Sequence, residues 1–337
     1  MNINMKRRKK SLQVALVLIL LITLTIALGL NTGSLKIGPF EVIKTLFGFG
    51  TSMYEMVLFE YRLPRLIITI LAGMGLGISG AIFQGITRNP LADPGVLGIH
   101  AGASLGLIVY VTYFTSLNTI PALMIPLFTF MGGCLAAGLI FLLASEKGKG
   151  LLPTRLLLVG IAIAAGFNAI SLYLSLQLDE TTYSFTASWL LGNVWGRDWI
   201  NVYALLPWMM VLIPMAFLKA KSLNSFALGD TLATAIGTRV NKERIQLLSI
   251  AVALSCASVS MAGGIGFVGL VAPHIARRLV GPMHQYVLPI SALVGVIIVV
   301  FADTMAKSLF EPNAIPAGVV VAAIGAPYFL YLLFKQK

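Results

Sequence analysis

Residues 63–84 read LPRLIITILAGMGLGISGAIFQ, and after Arg65 this stretch carries no ionisable side chain. A helix needs about 20 mostly apolar residues to cross the hydrocarbon core of a bilayer, so this run alone is long enough to span. A single such run could still be the buried core helix of a water-soluble protein, and its neighbours decide the matter. Cutting the chain at polar breaks and at Pro or Gly clusters gives further apolar runs at 12–30, 95–114, 121–144, 154–176, 200–218, 245–262, 267–279, 286–306 and 316–334. The 267–279 run is short for a full crossing, which sets the expected count at nine or ten spans.

Composition agrees. Of 337 residues 58% are hydrophobic and only 11% charged, with a mean hydropathy of +0.92, which does not describe a water-soluble surface. The runs leave no stretch for a separate soluble domain, so residues 1–337 are expected to form one all-α polytopic membrane domain. The formal charge of +12 would suit nucleic acid, but the basic residues lie in the breaks between apolar runs, where topology accounts for them. With the N-terminus in the cytoplasm, the inside segments hold Lys6 to Lys10, Arg88, Lys147, Lys149, Arg155, Lys219, Lys221, Arg239, Lys242, Arg244, Arg277, Arg278, Lys335 and Lys337. The outside keeps only Lys36, Lys44, Arg62, Arg65, Arg197 and Lys307. That bias follows the positive-inside rule with both termini cytoplasmic. The 12–30 run is long and lacks a small-residue cleavage site, so it reads as a retained first helix rather than a signal peptide.

Chemistry is sparse. Cys134 and Cys256 sit within apolar runs without CxxC spacing, and His100, His274 and His284 are far apart with no paired carboxylates, so neither set suggests a metal site. The GxSxG at 102–106 and the GxGxxG patterns at 75–80 and 264–269 lack the strand-turn-helix or βαβ context their chemistry needs. No Walker A loop occurs, so any ATP that drives this chain must bind another subunit. Asp303 is the main acidic residue in a span, and its spacing to Lys307 suggests an i,i+4 ion pair near an outer helix end, which weakens a proton-coupled mechanism. The glycine pairs Gly73/Gly77, Gly98/Gly102 and Gly102/Gly106 have the small-xxx-small spacing of close helix crossings. No internal repeat is evident, which counts against a two-repeat secondary transporter.

In the long inside break 219–244, Phe226, Leu228, Leu232, Ala233, Ile236 and Val240 recur at roughly helical spacing. This predicts a short amphipathic helix that either lies in the lipid interface or docks into a groove on a soluble partner.

Several ordered motifs are more specific. Tyr61-Arg62-Leu63-Pro64-Arg65, Gly80-Ala81-Ile82-Phe83-Gln84, Arg88-Asn89-Pro90-Leu91-Ala92-Asp93-Pro94-Gly95 and Leu97-Gly98-Ile99 resemble the opening signature of the FecCD-type permeases of iron-siderophore, haem and cobalamin ABC importers. Leu228-Gly229-Asp230, Ala235-Ile236-Gly237, Gly266-Phe267-Val268-Gly269-Leu270-Val271-Ala272-Pro273-His274, Leu288-Pro289-Ile290-Ser291 and Pro316-Ala317-Gly318-Val319 are similar in order and spacing, so the resemblance covers nearly the whole chain. It is nearest to ferric-siderophore permeases of Gram-positive bacteria, with cobalamin or haem as alternative cargo.

The resemblance implies type II ABC importer architecture: ten helices per permease and a second permease subunit, identical or homologous. It further implies two cytoplasmic ATP-binding subunits and an extracellular substrate-binding lipoprotein. ATP would sit on the partner, with no cofactor and no catalysis in this chain. By the same resemblance, Arg62, Arg65 and Lys307 face acidic residues of the binding protein, Lys307 lacking the arginine fork. Asn89, Pro90 and Leu91 with Pro153 and Thr154 form a cytoplasmic gate. The segment 222–241, through Leu228, Gly229, Asp230, Ala233, Ile236 and Gly237, couples to the ATPase. An ion-driven secondary transporter and a membrane-embedded lipid enzyme are the rival classes. The first needs an essential intramembrane carboxylate, and the second needs a paired acidic or His-Glu motif.

Overall fold

A computed structural model describes residues 3–32, 35, 37–95, 97–114, 123–146, 150–308 and 315–335. Of the positions invoked above, Lys36, Pro121, Lys147, Lys149 and Lys337 lie outside the described residues.

The chain runs α1 (Ile3–Asn31), α2 (Pro39–Leu46), α3 (Ser52–Glu55), a π-helical segment (Met56–Arg62), α4 (Leu63–Thr87), α5 (Ile99–Tyr113) and α6 (Met124–Ala144). A two-stranded antiparallel hairpin, β1 (Ser145–Glu146) with β2 (Gly150–Leu151), leads into α7 (Pro153–Ser175) and α8 (Glu180–Leu190). Then follow α9 (Trp199–Leu218), α10 (Ala220–Phe226), α11 (Asp230–Ala235), α12 (Val240–Ala262), α13 (Val268–Val280), α14 (His284–Ser308) and α15 (Ala317–Lys335). Helices α1, α4, α6, α7, α9, α12 and α14 are long and apolar enough to cross a membrane, and the shorter apolar α5 and α15 are also present. With the 13-residue α13 they match, one for one, the ten runs read from the sequence.

At 1.5 Å per residue α13 spans only about 20 Å. The non-helical 263–267 segment precedes it, its backbone lying against α8 and its exit: Gly263 and Gly264 pack on the carbonyls of Trp189 and Leu190. Irregular backbone at membrane depth is tolerated only where protein covers it in this way.

Helices α4 and α12 are mostly buried and α14 largely so, whereas α1 and α7 expose most of their length. The centre is therefore α4 packed between α12, α14, α13 and α9. Glycine makes its closest crossing: a methyl on Gly73 would stand 2.6 Å from the Gly295 carbonyl oxygen, and Gly77 faces the Ser291 carbonyl in the same way. Gly102 and Gly106 do the same between α5 and α6, against Gly132 and Phe128, and Gly98 packs on Gly160 of α7. Gly73/Gly77 and Gly102/Gly106 thus each mark one close crossing held by van der Waals contact, whereas Gly98 and Gly102 touch different helices.

Besides α2, α3 and the π-helical segment, which fill a stretch where no helix was expected, three features depart from expectation. The β1–β2 hairpin interrupts an otherwise helical chain. Helix α8 had not been expected, though its signal is legible: Asp179 caps it, accepting from the Thr181 and Thr182 amides at 3.1 Å each. The 219–244 segment is two short helices rather than one, broken at Gly229, whose φ of 93° lies in the left-handed region that only glycine enters without strain.

Replacing Gly73 by Val forces α4 and α14 apart and is expected to destabilise the fold by about 1–3 kcal/mol. Gly138→Val, at a site with nothing within 4 Å, should leave the midpoint of thermal unfolding in detergent nearly unchanged.

Candidate functional site

At the outer end of the bundle the π-helical turn carries Arg62 onto the exit of α1, where its two terminal nitrogens donate to the Leu30 and Leu35 carbonyls. Single π turns interrupt helices mostly where a function re-aims side chains. One turn on, Arg65 clamps Asp303 of α14, with Nε at 3.0 and 3.1 Å from the two carboxylate oxygens and Nη2 at 2.5 Å from Oδ1. Its guanidinium also lies 5.0 Å from the centre of the Trp195 ring, within cation–π range. Lys307 donates to the Gly29 carbonyl at 2.8 Å.

This corrects the ion pair expected within α14. Asp303 is held by Arg65 from α4, and Lys307 instead caps the last turn of α1. The planar guanidinium can meet both carboxylate oxygens at once, while the ammonium finds a carbonyl at the negative end of a neighbouring helix. The structure thus gathers Arg62, Arg65 and Lys307 at one end, close enough for their charges to act on one another, each engaged with an internal acceptor. Nearby, Arg197 donates to the Met261 carbonyl at 2.8 Å, and burial pushes its guanidinium down to about 10, opposed by Asp198.

At the other end α4 stops at Arg88, one of two non-glycine residues with positive φ among those described, at 53°, a strain of roughly 1–3 kcal/mol. Beyond it Asn89 closes a turn, its side chain accepting the Leu91 amide at 2.9 Å and its carbonyl the Ala92 amide at 3.2 Å. Pro90 and Leu91 are half-buried there. Pro153 opens α7, where its missing N–H costs nothing, and Thr154 beside it is exposed. The two expected gate segments therefore sit at the end of one central helix and the start of a peripheral one.

Asp230 joins them. Both its oxygens accept from Arg244 Nη2 at 2.8 Å, and Oδ1 also accepts from Arg88 Nη2 at 3.1 Å. Arg244 is 2% exposed, donates from Nη1 to the Leu151 carbonyl at 3.0 Å, and lies 5.6 Å from the centre of the Phe226 ring. The hairpin is fastened in turn to α7 by Glu146 and Arg155 at 3.1 Å. Sequence reading counted Arg244 only as an inside charge, and Arg88 as an inside charge that opens a family motif, with no partner for either. A left-handed Arg and an Arg buried beneath a loop leave no mark in spacing, and only the fold brings them to one carboxylate.

The expected coupling residues divide. Ala233 is buried, whereas Leu228 and Ile236 are more than half exposed and, with the equally exposed Leu232 of the amphipathic pattern, form an apolar patch around α11. Gly229 and Gly237 hold its two ends with positive φ.

The family model described as the FecCD transport family matches residues 19–335. The chain belongs to the FecCD transport family. Among relatives of this FecCD chain, the iron(3+)-hydroxamate import system permease protein FhuG of Bacillus subtilis is 45% identical over 312 residues, 91% of this chain and 92% of the relative. The iron-uptake system permease protein FeuC of the same organism is 45% identical over 313 residues, 91% and 93% of the two chains. A solved structure described as a metal-chelate type ABC transporter in an inward-facing conformation superposes with a TM-score of 0.82 at 28% identity, covering 96% of this chain and 99% of that one. The resemblance read from the motifs is borne out, and the chain is a multi-pass transport permease of the cytoplasmic membrane.

The Arg65–Asp303 clamp yields a direct test. Asp303→Asn strands a buried guanidinium and is expected to destabilise the protein by about 3 kcal/mol. Arg65→Gln combined with Asp303→Asn should recover part of that loss, and Lys307→Ala should cost less than Asp303→Asn, all read from thermal unfolding in detergent.

Proposed function

We propose that this chain is the membrane-spanning permease subunit of an ATP-driven importer that carries a ferric-siderophore complex by alternating access. The observation that carries this reading is end-to-end similarity, without large gaps in coverage, to permeases named for iron-hydroxamate import and iron uptake. It is supported by the chemistry of the chain, which has no phosphate-binding loop to hold ATP. Asp303, the carboxylate that an ion-coupled rival would need, is committed to Arg65.

In this reading the complex comprises a second permease subunit, identical or homologous, two ATP-binding subunits and an external substrate-binding lipoprotein. The positive rim of Arg62, Arg65 and Lys307 meets acidic residues on the binding protein, where opposite charge steers encounter and fixes register. The patch of Leu228, Leu232 and Ile236, with Gly229, Asp230, Ala233 and Gly237 shaping it, enters a groove of the ATPase. Asn89, Pro90 and Leu91 with Pro153 and Thr154 narrow the cytoplasmic exit. Nucleotide-driven closure of the ATPases moves α10 and α11, and the helices joined to them tilt. The chelate passes without covalent change, and the scarcity of charges in the spans suits a wide, weakly binding path for a bulky complex.

Deleting the cognate ATP-binding subunit should abolish cellular uptake of iron-55 presented as a hydroxamate chelate, and undiminished uptake would end this reading. Replacing Leu232 and Ile236 together by Asp is expected to reduce co-purification of the ATPase at least about tenfold, as truncation of interface anchors does. Because both side chains are exposed, the amount of permease in the membrane should hold.

A further inference from the structure

The segment read as the ATPase contact holds one side chain that is spent inside the chain. The Asp230 carboxylate bonds Arg88 and Arg244, and each arginine leads to a different part of the exit. Arg88 immediately precedes Asn89–Leu91. Arg244 is bonded to the carbonyl of Leu151, two residues before Pro153. The carboxylate is thus the one described junction through which α11 is bonded by side chains to the end of α4 and, by way of the hairpin, to the start of α7.

We infer that Asp230 is a positioning residue that carries movement of α10 and α11 to both gate segments at once. The inference rests on the assignment of residues 89–91 and 153–154 as the gate. Its physical content is stiffness. Charge-assisted bonds are shorter and stronger than neutral ones; the rigid Arg244 guanidinium gives Nη2 to Asp230 and Nη1 to the Leu151 carbonyl and is packed beneath the Phe226 ring of α10, so it cannot swing free of the segment it reports on. Gly229 brings its backbone against Arg88, where a methyl group would stand 3.3 Å from Nη1. The Arg88 limb is the more exposed, with 42% of its side chain accessible against 2% for Arg244. It is the limb that can be cut without opening the core. A simple local staple would differ: its loss would loosen the 227–237 segment around α11 and leave both distant segments as they were.

Hydrogen exchange on the full chain in lipid nanodiscs separates these cases without reference to transport. Asp230→Asn is expected to speed exchange at least about tenfold, the scale set by loss of a hydrogen bond to a charged group. The rise should appear both at the Leu91 and Ala92 amides, which Asn89 holds, and at the Leu156 amide, which bonds the Leu152 carbonyl. No change at either place overturns the inference. Should that variant fail to fold, Arg88→Gln is expected to raise exchange at Leu91 and Ala92 with Leu156 unchanged, and no rise at Leu91 and Ala92 overturns it equally.

In the complete transporter reconstituted with its ATPases and binding protein, iron-55 hydroxamate imported per ATP hydrolysed should fall about tenfold in Asp230→Asn, within the range of coupling energies between sites. An unchanged ratio means a staple only, and overturns the inference. If the native complex imports no iron at all, the functional reading fails, while the exchange rates still decide whether the junction exists.

Discussion

Backbone lies on backbone where α4 crosses α14, because Gly73 and Gly77 face the carbonyls of Gly295 and Ser291 with no side chain between. In lipid there is no hydrophobic force pressing helices together, since the surrounding tails are as apolar as leucine, so close packing has to do that work. The crossing places α4 at the centre of the bundle, with α12, α13 and α9 packed around it. Everything at the two ends of the molecule is hung on this rod. It is about 37 Å long at 1.5 Å per residue over 25 residues, enough to reach from one membrane surface to the other.

At its outer end the rod presents Arg62 and Arg65, and at its inner end Arg88. Charges near hydrocarbon are costly unless paired, and each of the three is met by acceptors from another element: the exit of α1, Asp303 of α14, and Asp230 of α11. These pairings are also the side-chain links between the central helix and parts that a transport cycle would move. A rigid element with its charged contacts at its two ends can relay displacement between membrane faces with little deformation in between.

The cytoplasmic end is built differently from the outer one. Outside, the cations are bonded to neighbouring carbonyls and one buried carboxylate. Inside, polar contacts are turned inward while Leu228, Leu232 and Ile236 are left facing out. An apolar patch at a charged membrane edge is an expense that a lone chain has no reason to bear, and family membership offers the reason in a partner.

The amino-acid sequence was enough to determine the solvent, to narrow the crossings to nine or ten, and to pick out glycines that make close contacts. Each of these is a local property: apolar length against bilayer thickness, or spacing along one helix face. Ordered motifs such as Arg88 to Gly95 and Gly266 to His274 carried the family for the same reason, since they are contiguous. The tertiary structure alone decided the partners of the ionisable groups. Asp303 stands four residues from Lys307 and 238 from Arg65, yet it bonds the distant residue, because the α4–α14 crossing sets the arginine fork squarely on its carboxylate. The junction at Asp230 likewise joins residues 142 and 14 positions away. Nothing in a one-dimensional pattern encodes which of several inside arginines will be folded under a loop, for that depends on where the left-handed turn at Gly229 sends the chain.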